Sequence, residues 1–182
     1  EVYRNIHREL IERSKQGDSS AQTELYQLYS KAMYNIAYRI SNNQEDAEDI
    51  LQEAFVSAFR RLDSFRGDSS FGAWLKKIVV NKSINFIKKK RLEIAPLDEG
   101  KYEAQVDNPY DDEDLVMNVD KIRNAIQLLP DGYRVVFSLY LLEGYDHREI
   151  ADILEINEST SKSQYNRAKK KIRELLKDTM YE

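Results

Sequence analysis

Two stretches of this sequence gather positive charge with no acid among it. Residues 74–91, WLKKIVVNKSINFIKKKR, hold seven Lys or Arg, and residues 159–173 hold six. Cations crowded in this way repel one another unless an anion draws them together, and a nucleic-acid backbone is an anion of matching repeat. In the second stretch, Ser161, Tyr165, Ala168 and Ile172 recur at helical spacing and face a core. Ser159, Lys162, Ser163, Asn166, Arg167 and Lys170 then project outward, with Thr160 at the same end. Short polar groups and Lys reach base edges in a major groove, while Arg167 and Lys170 clamp phosphates or read a guanine. In the first stretch Trp74, Leu75, Ile78, Val79, Phe86 and Ile87 line a core, leaving Lys76, Lys77, Asn81, Lys82, Asn85, Lys88, Lys89, Lys90 and Arg91 to solvent or a ligand. The plainer reading is a solvated helix whose last cations suit its C-terminal dipole. A membrane-surface helix is weaker, because a small core needs those apolar residues.

A third cluster is anionic. Asp46, Glu48, Asp49, Gln52 and Glu53 crowd the start of DAEDILQEAFVSAFRRL, where the helix dipole stabilises each acid by about 0.3–1 kcal/mol. Nothing resembles a reaction centre. His7 and His147, the two histidines, lie in different halves and show no triad or ligand spacing, so both are expected on the surface. Cys is absent and no Gly-rich phosphate loop occurs, so neither catalysis, a metal nor a cofactor is expected.

The elements that must carry these clusters are helical. With 182 residues, 41% of them hydrophobic and 33% charged, and only 6 Gly and 3 Pro, an all-α chain of one domain or two small ones is expected. No run is apolar enough to span a bilayer and EVYRNIHREL is polar, so membrane insertion and secretion are not expected and the cytoplasm is. The formal charge of -4 hides a split. Nine of the 32 acids but one of the 28 bases lie between Glu93 and Asp114, so the remainder carries 23 acids against 27 bases. That stretch also holds Pro96, Gly100 and Pro109, has no helical or strand period, and reads as a flexible acidic linker. The expected organisation is therefore a helical domain over 1–92, a linker over 93–114 and a second helical domain over 115–182.

Gly17, Asp18 and Ser19 suit a loop and cap before a helix, whose stripe is Leu25, Leu28, Tyr29, Ala32, Met33, Ile36, Ala37 and Ile40. A second stripe follows SNNQ: Ala47, Ile50, Leu51, Ala54, Phe55, Ala58, Phe59 and Leu62. In the second domain, Pro130, Asp131 and Gly132 make a turn before a buried helix through Val135, Val136, Phe137, Leu139, Tyr140 and Leu142, stopped by Gly144. Asp146 and Glu149 have capping-box spacing ahead of HREIADIL, and Asn157 suits the cap of the basic helix after a short turn. Two helices joined tightly, the second basic, form the grammar of a helix-turn-helix.

These residues resemble the two-domain, extracytoplasmic-function group of bacterial sigma factors, over nearly the whole chain. DAEDILQEAF, LDSFRG and FGAWLKKIVVN resemble the second conserved region of that family. LLPDGYRVVFSLYLLEGYDHREIADIL and the run from Thr160 to Ala168 resemble the fourth. The resemblance implies partners: core RNA polymerase through its beta-prime coiled coil and beta flap, promoter DNA, and a dedicated anti-sigma protein. It implies polymerase contacts at Asp49, Gln52 and Glu53. It implies capture of the opened downstream (minus-ten) element by Asn81, with Arg66, Lys76, Lys77, Lys82 and Lys88 near the backbone. The upstream (minus-thirty-five) duplex falls to Ser159, Thr160, Lys162, Ser163, Asn166, Arg167 and Lys170. The sequence departs from the family at Asn85, where Asp is common, at Ser161, where an apolar residue is common and looser packing follows, and at Glu155, where a Gly is common and strain follows. A stand-alone helix-turn-helix regulator would explain residues 120–177 equally well, but not the acidic helix followed by a basic one.

Overall fold

The structure, a computed structural model, describes residues 7–94 and 119–178. The chain divides into two compact units, Glu1–Ala95 and Pro96–Glu182. The described residues hold eight α-helices and no strand. The stretch expected as an acidic linker lies outside the described residues except for Glu93 and Ile94, which close a helix.

In the first unit α1 (Arg8–Lys15) packs on α2 (Ser19–Ser41), and α2, α3 (Gln44–Arg60) and α4 (Phe71–Ile94) pack mutually. Local chemistry sets the ends. The Asp18 carboxylate accepts from the Ser20 and Ala21 N–H groups and pairs with Arg13 at 2.7 Å, which fixes where α2 begins. Asn42 takes a left-handed conformation and Asn43 accepts from the Asp46 N–H at 2.9 Å, so the polar break stops one helix and starts the next.

The α3 stripe is buried as its spacing predicts, apart from a half-buried Phe59. On α2, Leu25, Met33, Ile36, Ala37 and Ile40 are buried, whereas Leu28 is 48% exposed and Ala32 is exposed, because the contact face is narrower than the apolar stripe. The larger correction is α4. Its buried face is Phe71, Leu75, Val79, Val80, Ser83 and Ile84, while Trp74, Ile78, Phe86 and Ile87 are only half-buried. A helix wedged against both α2 and α3 is covered over a wider, drifting arc than a single stripe. Ser83 enters the core at little cost because its hydroxyl donates to the Val79 carbonyl at 2.8 Å.

In the second unit α5 (Val119–Gln127), α6 (Asp131–Phe137) and α8 (Glu158–Asp178) close around Ala125, Leu129, Phe137, Ala168 and Ile172, while α7 (His147–Leu154) packs on α8 and buries Ile150 and Ala151. Arg134 is 2% exposed; its guanidinium donates to the Leu129 carbonyl and pairs with Asp131 at 2.7 Å, tying the turn to α6. After Phe137 the chain widens into a π-type turn, Ser138–Leu142, so Leu139 stays buried while Tyr140, Leu141 and Leu142 are exposed. Tyr140 and Leu142 therefore leave the buried set that their spacing predicts. Gly144, at φ 78°, then lets the Tyr145 N–H return to the Leu139 carbonyl.

Candidate nucleic-acid and polymerase interfaces

The acidic cluster runs from the first turn of α3 to its middle. Asp49, Gln52 and Glu53 are all exposed at i, i+3 and i+4, so they share an accessible face. They differ in what surrounds them. Glu53 faces α4, where Lys82 lies 3.5 Å away, and Asp46 pairs with Lys90 at 2.6 Å. A groove of about 420 Å³ runs between the helices, lined by both pairs together with Asn85, Phe86 and Lys89. The Lys82 pair is solvated and contributes at most about 1 kcal/mol. The Asp46 side chain is 15% exposed, so its pairing is better shielded.

The candidate strand-binding residues divide accordingly. Lys77, Asn81, Asn85 and Lys89 are exposed at i, i+4, i+8 and i+12, a continuous polar and cationic row along α4. Lys76, Lys82 and Lys88 are half-buried beside it. Arg66 is exposed in the loop before α4, whose start is anchored by Phe65, Phe71 and Trp74 with ring centroids 5.5–5.6 Å apart. Phe71 is buried. Spacing alone did not reveal that Lys82 and Lys90 are shared with acids 29 and 44 residues upstream.

The helix-turn-helix is α7, a turn at Glu155–Asn157, and α8. The capping box is complete: Asp146 accepts from the Glu149 N–H at 2.8 Å and Glu149 accepts from the Asp146 N–H at 2.9 Å. Glu155 takes φ 59°, the left-handed conformation anticipated at that position. The Asn157 carbonyl accepts from the Ser161 N–H and so stands at the start of α8.

On α8, Ser159, Lys162, Asn166 and Lys170 are exposed at i, i+3, i+7 and i+11, with Thr160, Ser163 and Arg167 half-buried alongside. Ser161, Ala168 and Ile172 are buried, with Tyr165 partly so, as the spacing predicts. Lys162 pairs with Glu158 at 2.6 Å, and that hydrogen bond holds the Glu158 carboxyl below its ordinary range. The Ser163 hydroxyl donates to the Ser159 carbonyl at 2.9 Å, with the Thr160 carbonyl at 3.2 Å.

His147 corrects the expectation of a plain surface histidine. It is half-buried, its Nδ1 lies 2.9 Å from Ser161 Oγ, and its ring stacks on Tyr140. The same bond corrects the looser packing expected at Ser161, which is fully buried and partnered. Among the described residues no cluster could hold a metal ion, and no helix is long and apolar enough to cross a membrane.

Known proteins share both units. The model of Sigma-70 region 2 matches residues 25–93, and that of Sigma-70 region 4 matches residues 120–172. The ECF RNA polymerase sigma factor SigW of Bacillus subtilis is 34% identical over 179 residues, covering 92% of this chain and 95% of that protein. The ECF RNA polymerase sigma-E factor of Escherichia coli is 31% identical over 176 residues, covering 90% of each. Among solved structures, the sigma factor RpoE in complex with the anti-sigma factor NepR from Bartonella quintana aligns with a TM-score of 0.56 and 26% identity, over 85% of this chain and 96% of that one. An acidic face backed by a basic helix in one unit, a basic helix after a tight turn in the other, and this similarity across both units lead to one conclusion: the chain belongs to the ECF sigma factors of the sigma-70 family.

Proposed function

We propose that this chain binds core RNA polymerase and directs it to promoters, using the two units for different parts of one start site. Asp49, Gln52 and Glu53 on α3 are the polymerase contacts. Asn81, with Arg66, Lys76, Lys77, Lys82 and Lys88, holds the opened downstream element. Unpaired strands bind through backbone charge together with base capture, which a row mixing Lys and Asn supplies. Ser159, Thr160, Lys162, Ser163, Asn166, Arg167 and Lys170 on α8 read the upstream duplex. Domain limits at 92 and 115, with the acidic stretch between them as a tether, complete the reading. It places the protein in the cytoplasm with its polymerase and gives it no catalytic step of its own. The RpoE relative is solved with an anti-sigma factor, which supports a partner of that kind here.

The observation that carries the reading is the pair of open rows, one on α4 and one on α8, each cationic and each on its own folded unit. Run-off transcription with purified core polymerase on a genomic DNA library tests it. Specific start sites should appear only when the chain is added. Asp49→Ala and Gln52→Ala should weaken core capture, and Arg167→Ala should weaken upstream-element binding by about 1–3 kcal/mol if it reads a base. Unaltered core affinity in both α3 variants overturns the assignment of that face.

A further inference from the structure

His147 opens α7 and Ser161 lies in the first turn of α8, 14 residues along the chain, with Nδ1 and Oγ 2.9 Å apart. This is a polar tie between the two helices of the motif, buried at its Ser161 end and half-buried at the imidazole. Ser161 has no exposed surface. The imidazole stacks on Tyr140 with centroids 4.3 Å apart and planes at 14°, and meets Tyr165 edge-on at 5.7 Å. Tyr140 comes from the π-type turn and Tyr165 from α8, so the ring is gripped by both neighbours of α7. A buried hydroxyl stripped of its partner is expensive, so the helices stay at the spacing that keeps this bond. Immediately beside Ser161 lie Thr160 and Lys162, with Ser159 and Ser163 next.

We infer that His147 and Ser161 are positioning residues for duplex recognition: their hydrogen bond, held by the two tyrosine rings, sets the angle at which the first turn of α8 presents its outward side chains. This rests on the reading of α8 as the duplex-reading helix. It has a consequence that a purely structural tie would lack. Tyr140 from the π-type turn and Tyr165 on α8 pack on the ring, and the charges that act on it are Asp146 at the N-cap of α7 and Glu158, Lys162 and Lys169 on α8. Burial pushes the imidazole below its ordinary value, Lys162 and Lys169 push the same way, and Glu158 and Asp146 oppose them. Phosphates arriving at Lys162 offset its charge, so His147 accepts a proton more readily in the complex than in the free protein. By linkage, acidification then tightens binding.

The test uses holoenzyme reconstituted from the full chain, with a fluorescent promoter duplex taken from the run-off selection, at about pH 7.5 and about pH 6. Wild type should bind more tightly at the lower pH. Ser161→Ala, which empties the tie but keeps the imidazole, should weaken binding about two- to tenfold at the higher pH and retain the pH response. His147→Phe, which keeps the ring stack, should weaken binding similarly and lose the response. Circular dichroism of each variant establishes that it is folded at the assay temperature. Wild-type affinity in Ser161→Ala, or an undiminished pH response in His147→Phe, overturns the inference. Arg167→Ala separates the two levels: if it too binds as wild type does, the assignment of α8 has failed instead.

Discussion

Asp146→Ala tests whether the second unit depends on the cap of its penultimate helix. The substitution deletes the bond from the Glu149 N–H, 2.8 Å long, and leaves the reverse bond from the residue 146 N–H to Glu149 intact. Loss of an N-cap costs about 1 kcal/mol, and loss of a negative charge beside the helix dipole about 0.3–1 kcal/mol more. Together they remove about 1.5 kcal/mol. For a unit of this size each kcal/mol moves the melting temperature by about 4–8 °C, so a fall of about 6–12 °C is expected. The chain offers its own reference. Trp74 is the single tryptophan and packs against Phe65 and Phe71 in the first unit, so its fluorescence follows that unit alone, while far-ultraviolet circular dichroism follows both. At about pH 8, where His147 is neutral, the dichroism component of the second unit should fall and the Trp74 transition should stay in place. A fall below about 2 °C would refute the capping argument. An equal fall in both signals would refute separate cores.

Other consequences are as direct. Ile84→Ala should destabilise the first unit by about 2–5 kcal/mol, and Ile87→Ala by less than half as much, because Ile84 is buried and Ile87 is not; urea titration followed by Trp74 fluorescence checks the ranking. The depressed His147 value makes free-protein stability pH-dependent in a defined direction. Its folded value lies below the ordinary 6.5, so the unfolded chain binds the proton first; its stabilising contribution is complete above about pH 6.5 and is lost as pH falls toward the folded value. The urea midpoint of the second unit should therefore fall through that window in wild type and fall less in His147→Phe. Glu155→Gly should relieve the left-handed strain and leave the second unit as stable or up to about 1 kcal/mol more stable, read from the same dichroism component.

What could be read from the sequence was local. The capping box needs three residues of spacing, and the α3 stripe needs a single contact face, so both were legible. The buried arc of α4 was not, because two partner helices widen it and because Ser83 meets its polar needs from its own backbone. The exposure of Tyr140 and Leu142 depends on a change of helical pitch that no residue in SLYLL announces. His147 passed for a surface residue because its partners, Tyr140, Ser161 and Tyr165, meet it only once three elements have folded together. The buried edge of α8, Ser161, Ala168 and Ile172, was legible for the opposite reason: one helix packed along one edge obeys its period.

The bridges from Lys82 to Glu53 and from Lys90 to Asp46 mean that α4 is not an interchangeable cassette. A relative given this α4 but lacking acids at 46 and 53 would leave the Lys82 and Lys90 ammonium groups without those partners beside Phe86. The unit of exchange is the α3–α4 pair. Descendants of this chain should accordingly change positions 46 and 90 in concert, because that pair is the shielded one, while 53 and 82 are freer to vary separately.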